Sequence, residues 1–166
     1  MSARAVRIGA LLLLLGVAGC ASTGRPPAQA GNASLPAGAH ILPSDKIPDM
    51  LEQCSREAPA PGEGSWTPDA ASIRALEALL PARLAQRWPD RDWSGFPGQW
   101  IRQYVGILRG GRRFLYGNIV PADIAEEAPG AESEAVIVCD GGPSLFGAEY
   151  DVAAGAISHI AFNGRY

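Results

Sequence analysis

QWIRQYVGILRGGRRFLYGNIV, residues 99–120, is the stretch whose reading decides the fold. Its two halves, 99–108 and 112–120, are rich in aromatic and β-branched side chains and flank Gly110-Gly111. A glycine pair between such runs signals a hairpin, because both residues reach positive φ without steric cost. Ahead of the hairpin, Thr67-Pro68-Asp69 reads as a helix start. The threonine is the expected cap, the proline stands where no N–H is needed, and the aspartate suits the positive end of the helix dipole. Ile73, Leu76, Leu79 and Leu80 then recur at helical spacing to about residue 80. Pro81 is expected to end or kink this helix, leaving 82–88 as a second short helical piece.

Beyond the hairpin comes an acidic stretch, 121–134, with Asp123, Glu126, Glu127, Glu132 and Glu134, expected to be a solvated loop. Residues 134–139 read as a short apolar strand that stops at the turn Asp140-Gly141-Gly142-Pro143, and 145–151 and 156–163 read as a second hairpin around Gly155. A helix followed by antiparallel strands, without recurrent βαβ units, predicts an α+β fold: one main helix packed on a four- or five-stranded antiparallel sheet. This element order is similar to that of the cystatins; the similarity is one of order alone and transfers no functional residue. Upstream, Ile47, Met50, Leu51 and Cys54 recur at helical spacing after a first-turn Pro48, predicting a short amphipathic helix within 44–57, broken by the Pro/Gly-rich 58–64. Residues 21–43 are small, polar and dotted with proline, which predicts a disordered tether.

The first twenty residues, MSARAVRIGALLLLLGVAGC, are of another kind. Arg4 and Arg7 precede an apolar core at 8–15 that is long enough for a secretory signal and too short to span a bilayer. The ending Val17-Ala18-Gly19-Cys20 resembles the lipobox of bacterial lipoprotein precursors. That resemblance implies a signal peptide at 1–19, cleavage before Cys20, a diacylglyceryl group on its sulfur and acylation of the new amine. Ala21 and Ser22, with no aspartate beside the cysteine, imply delivery to the outer membrane, facing the periplasm. Two or three acyl chains would hold the protein on the membrane, since each buried CH₂ contributes about 0.8 kcal/mol. The expected organisation is a signal at 1–19, a lipidated Cys20 with a linker at 20–43, and one α+β domain at 44–166. Small bacterial envelope lipoproteins of uncharacterised role have this general appearance.

Without Arg4 and Arg7 the formal charge of −3 becomes about −5. A mildly acidic chain lacks the clustered cations that nucleic acid requires, so no nucleic-acid partner is expected. Two cysteines remain after lipidation, Cys54 and Cys139. In an oxidising compartment an even pair reads as a disulfide; buried free thiols or a metal pair are the alternatives. Zinc wants four ligands, and the chain has only His40 and His159 besides the cysteines, so no metal or cofactor is expected.

A Ser-His-Asp set would need His159 with Asp140 or Asp151 and a serine such as Ser144, and no Gly-x-Ser-x-Gly elbow accompanies them. Asp140, Glu149 and Asp151 are candidates for paired-carboxylate hydrolysis, although acids at turns mostly cap backbone. Asp140, Gly141 and Gly142, anchored by Cys139, could form a recognition loop or plain turn chemistry. Trp93, Phe96, Trp100 and Tyr104 could form an aromatic binding surface or close one end of the core. Arg102, Arg112 and Arg113 could answer the acidic stretch at 121–134. The expectation is a lipid-anchored envelope protein with a non-catalytic binding role towards an envelope protein or periplasmic ligand. An inhibitor presenting 140–142 and an envelope hydrolase using Asp140 or Asp151 are the alternatives.

Overall fold

The computed structural model describes residues 34–164. The signal segment, Cys20 and the first part of the expected tether lie outside the described residues. The class is α+β, as expected, but the sheet is mixed and six-stranded. In chain order the elements are β1 (Ala39–Ile41), α1 (Ile47–Leu51), β2 (Gly64–Trp66), α2 (Ala70–Arg87), β3 (Trp100–Arg109), β4 (Arg112–Pro121), α3 (Ala122–Glu126), β5 (Phe146–Asp151) and β6 (Ala156–Phe162). The hairpin of β3 and β4 is its centre, paired from Trp100 with Pro121 to Arg109 with Arg112. β5 and β6 continue the antiparallel meander from β4.

The purely antiparallel expectation fails at β1, which runs parallel to β3, Ala39 opposite Arg102 and Ile41 opposite Tyr104. β1 lies inside the stretch expected to be a tether. It is held because Ala39 and Leu42 are buried and the Arg102 guanidinium donates to the carbonyl of Ala37 at 2.8 Å. β2 pairs antiparallel with the other half of the same β3 edge, Gly64 to Trp66 opposite Leu108 to Gly106. Two three-residue strands thus divide one edge of β3 between them.

α2 is one helix from Ala70 to Arg87, not two pieces. Pro81 removes the bond to the Glu77 carbonyl, but Leu80 and Leu84 on either side of it are fully buried and keep the axis against the sheet. Burying each such side chain is worth about 1.5–3 kcal/mol, enough to override one lost bond. The cap is Asp69 rather than Thr67: its carboxylate accepts from Ser72 N–H at 2.7 Å. Those backbone bonds hold the Asp69 carboxyl below its ordinary range.

Because side chains alternate along a strand, the sheet has two faces. One meets α2: Ile73, Leu76, Leu80 and Leu84 pack on Tyr104, Leu115, Ile119, Phe146 and Ala148, and Trp93, Phe96 and Trp100 belong to the same cluster. The opposite face has two apolar patches, Val105, Ile107, Phe114 and Tyr116 with Leu42 and Met50, and Val120 with Ala125, Val136 and Leu145.

Polar residues accompany the apolar patches on this second face, and they explain why the apolar run 134–139 is not a strand. Its backbone is satisfied by side-chain amides. Gln103 donates to the carbonyls of Ala131 and Glu134 and accepts from Val136 N–H; Asn118 donates to Val136; Asn163 donates to Val138 and Asp140. With its groups already paired this way, the segment forms no ladder. A disulfide between Cys54 and Cys139, Cα atoms 4.9 Å apart, fastens it to the chain that leaves α1.

Candidate functional site

An open groove of about 690 Å³ lies between α1 and the segment 58–65. Pro48 sits in the first turn of α1, which is five residues long and ends with Glu52 N–H returning to the Pro48 carbonyl. The chain then runs to the prolines Pro59 and Pro61, and the Arg109 guanidinium donates to Ala60 O from below. At Gly62 a β-carbon would lie 2.1 Å from the Leu108 carbonyl oxygen, so glycine lets the segment hug β3.

Ile47, Leu51 and the prolines make the groove apolar, and Asp45, Glu52 and Glu63 stand on its rim. All three carboxylates are exposed. None is in an ion pair among the described residues. Glu63 accepts from Gly111 N–H, and backbone N–H groups, first its own, hold its carboxyl below the ordinary range. The nearest lysine in sequence, Lys46, pairs with Glu134 instead; that hydrogen bond raises its pKa. The cation beneath the groove, Arg109, is engaged by Glu149. In the sequence, 58–64 reads only as a helix breaker. The groove exists because that breaker lies beside α1, a tertiary fact with no local signal beyond the prolines.

The residues singled out from sequence lie elsewhere. Gly141 and Gly142 adopt positive φ, 96° and 62°. The turn is pinned by Asn163 on the Asp140 carbonyl and by Gly142 N–H on Gly164 O. Gly142 and Pro143 are buried, leaving Gly141 as the exposed residue of the turn. Trp93 and Trp100 are 6% and 5% exposed, stacked on each other, with indole N–H groups donating to the carbonyls of Trp88 and Ser144. They present no aromatic surface to solvent.

Asp151 is buried, pairs with Arg112 and accepts from Ala153 and Ala154 N–H, closing the turn between β5 and β6. Glu149 accepts from Arg109 and Ser158. Asp151 ends β5, opposite Ala156, whereas the Asp140 carbonyl is held by Asn163, just past Phe162, which pairs with Phe146 at the other end of the strand. At about 3.3 Å per residue the strand alone separates their backbones by more than the roughly 5–10 Å a carboxylate pair needs. His159 stands opposite Glu149 in the sheet with Nε2 on the Glu57 carbonyl, while Ser144 Oγ accepts from Arg91. The structure does not assemble Ser144, His159 and an aspartate as a triad, and Glu149 and Asp151, two residues apart on β5, are each held in an ion pair with an arginine. Arg102 pairs with Glu77, and Arg112 with Asp151; neither salt bridge goes to the stretch 121–134. Among the described residues no three His, Cys, Asp or Glu side chains stand together as a metal site, and no helix is long and apolar enough to cross a membrane.

Comparisons with family models, curated proteins and solved structures found no match for this chain.

Proposed function

We propose that the chain is a bacterial lipoprotein, anchored through acylated Cys20 to the outer membrane and facing the periplasm, whose folded domain binds an envelope protein without catalysing a reaction. The anchor is supported by the basic start, the leucine core and the ending Val17-Ala18-Gly19-Cys20. The Cys54–Cys139 disulfide is in keeping with an oxidising compartment. The binding role is carried by one observation: the groove beside α1 is an open apolar depression whose rim acids are in no ion pair among the described residues, whereas Asp151 closes a turn and Glu149 is held by Arg109 and Ser158.

Mass spectrometry of the mature N-terminus tests the anchor. The expected product starts at Cys20 with diacylglyceryl and acyl mass added, and Cys20→Ala moves the protein to the soluble fraction; an unmodified N-terminus would overturn it. The binding role is tested by a photoreactive leucine analogue at position 51 in intact cells. One dominant envelope protein should be cross-linked there and lost when the analogue is moved to the exposed position Leu79 on α2. Equal capture at both positions would remove the groove as the site.

A further inference from the structure

The groove has a second property besides its apolar floor. Among the described residues β2 pairs with β3 alone, and Gly64 and Ser65 of β2 line the groove. A short strand with one edge unpaired therefore borders the depression, next to Ile47 and Leu51. Backbone N–H and C=O groups on such an edge are satisfied by an added strand, and neighbouring pockets then select its side chains.

The charges select further. Asp45, Glu52 and Glu63 ring the groove, and among the described residues its lining contains no lysine or arginine. Lys46 and Arg109, the cations of the adjoining elements, are turned to Glu134 and Glu149. An acidic or neutral segment would leave the three carboxylates without a countercharge, Glu63 being met by backbone N–H alone, and a cationic one would supply it.

We infer that the groove takes an extended, cationic segment of a partner polypeptide, which adds as a strand to the outer edge of β2 with its apolar side chains over Ile47 and Leu51. This rests on the reading of the domain as a binding module and specifies the chemistry of its partner.

The test uses the full-length chain in detergent and a seven-residue peptide alternating lysine and valine, titrated by NMR. Two control peptides accompany it, one with glutamate in place of lysine and one N-methylated on alternate backbone nitrogens. The lysine peptide should saturate, with the largest amide shifts at Gly64, Ser65 and Leu51. Binding should weaken about tenfold in Asp45→Asn/Glu52→Gln, as expected for removing two rim charges, and should weaken further as salt is raised. Both substituted side chains are exposed, and an unchanged melting temperature shows that the variant is folded.

Equal binding of the glutamate peptide, or no effect of the double substitution, would overturn the cationic assignment. Equal binding of the N-methylated peptide would overturn strand addition. Should the lysine peptide fail to bind while the cross-linker at position 51 still captures one envelope protein, the partner chemistry falls and the binding module stands. Failure of both removes both.

Discussion

The two faces of the sheet are covered in different ways. On one, α2 satisfies its own backbone and needs only apolar contact, so that face is built from Tyr104, Leu115, Ile119 and Phe146 around one buried ion pair. On the other, much of the cover is irregular chain, which needs partners for its N–H and C=O groups. The sheet supplies them from Gln103 and Asn118, which stand among its apolar patches. Regular cover permits a nearly continuous apolar core; irregular cover sets buried amides among apolar patches.

Arg56 sharpens the contrast. Arg102, on the α2 side, meets Glu77 at 2.9 Å and the carbonyls of Ala37, Pro97 and Trp100. Arg56, on the other side, is 8% exposed and bonds only neutral acceptors, Asn118, Asn163 and Tyr116. Burial pulls its pKa below the ordinary value. Gly147 makes room for it: a β-carbon there would sit 2.2 Å from the Tyr116 hydroxyl and 3.1 Å from Arg56 Nε.

The largest effect should come from breaking the ion pair on the regular face. Glu77→Ala leaves the 1% exposed Arg102 uncompensated and should cost about 3–5 kcal/mol, read from the denaturant midpoint. Replacing Cys54 and Cys139 with alanine opens a connection of 85 residues and should cost about 2–5 kcal/mol. Here hydrogen exchange should accelerate first at 135–140 rather than in α2. Arg56→Met removes three donors from buried acceptors and should cost about 1–3 kcal/mol, again with lost protection confined to 135–140; equal loss in α2 would show that the faces do not act separately.

Both faces hold a buried tyrosine whose hydroxyl is pushed upward, Tyr104 by burial and then the Glu77 charge, Tyr116 by burial against the opposing pull of Arg56. A raised folded pKa contributes stability that is complete below the unfolded value and lost as pH rises through the folded one. Stability should therefore fall above about pH 10, and phenolate absorbance should appear together with unfolding. The smallest effect is at the N-terminus of α2, where Asp69→Ala should cost about 1 kcal/mol. The depressed carboxyl of Asp69 makes this contribution present above the ordinary carboxylate range and lost as pH falls through its folded value.

The regular parts of the molecule were legible in the sequence because their signals are local. Gly110-Gly111 between β-rich runs places the central hairpin, Gly155 the second one, and Ile73 to Leu80 the helix face. The short strands were not legible. Three residues carry too little periodicity, and the pairing of Ala39 with Arg102 is decided by a guanidinium reaching Ala37, far away in sequence. The run 134–139 has the composition of a strand, yet amides from three distant positions claim its backbone. Pro81 misled in the opposite direction, since buried leucines outweigh one missing bond. At the candidate site the acids and prolines were visible as residue types, but their arrangement around a groove depends on how α1 lies beside the segment 58–65.

The cysteine bridge also imposes an order of events. A polypeptide made or threaded from its N-terminus exposes the thiol of Cys54 well before that of Cys139, which is 85 positions later. The early sulfur has no native partner until β3 and β4 have followed it, so a chain made in that direction passes through an interval in which the bridge cannot yet close.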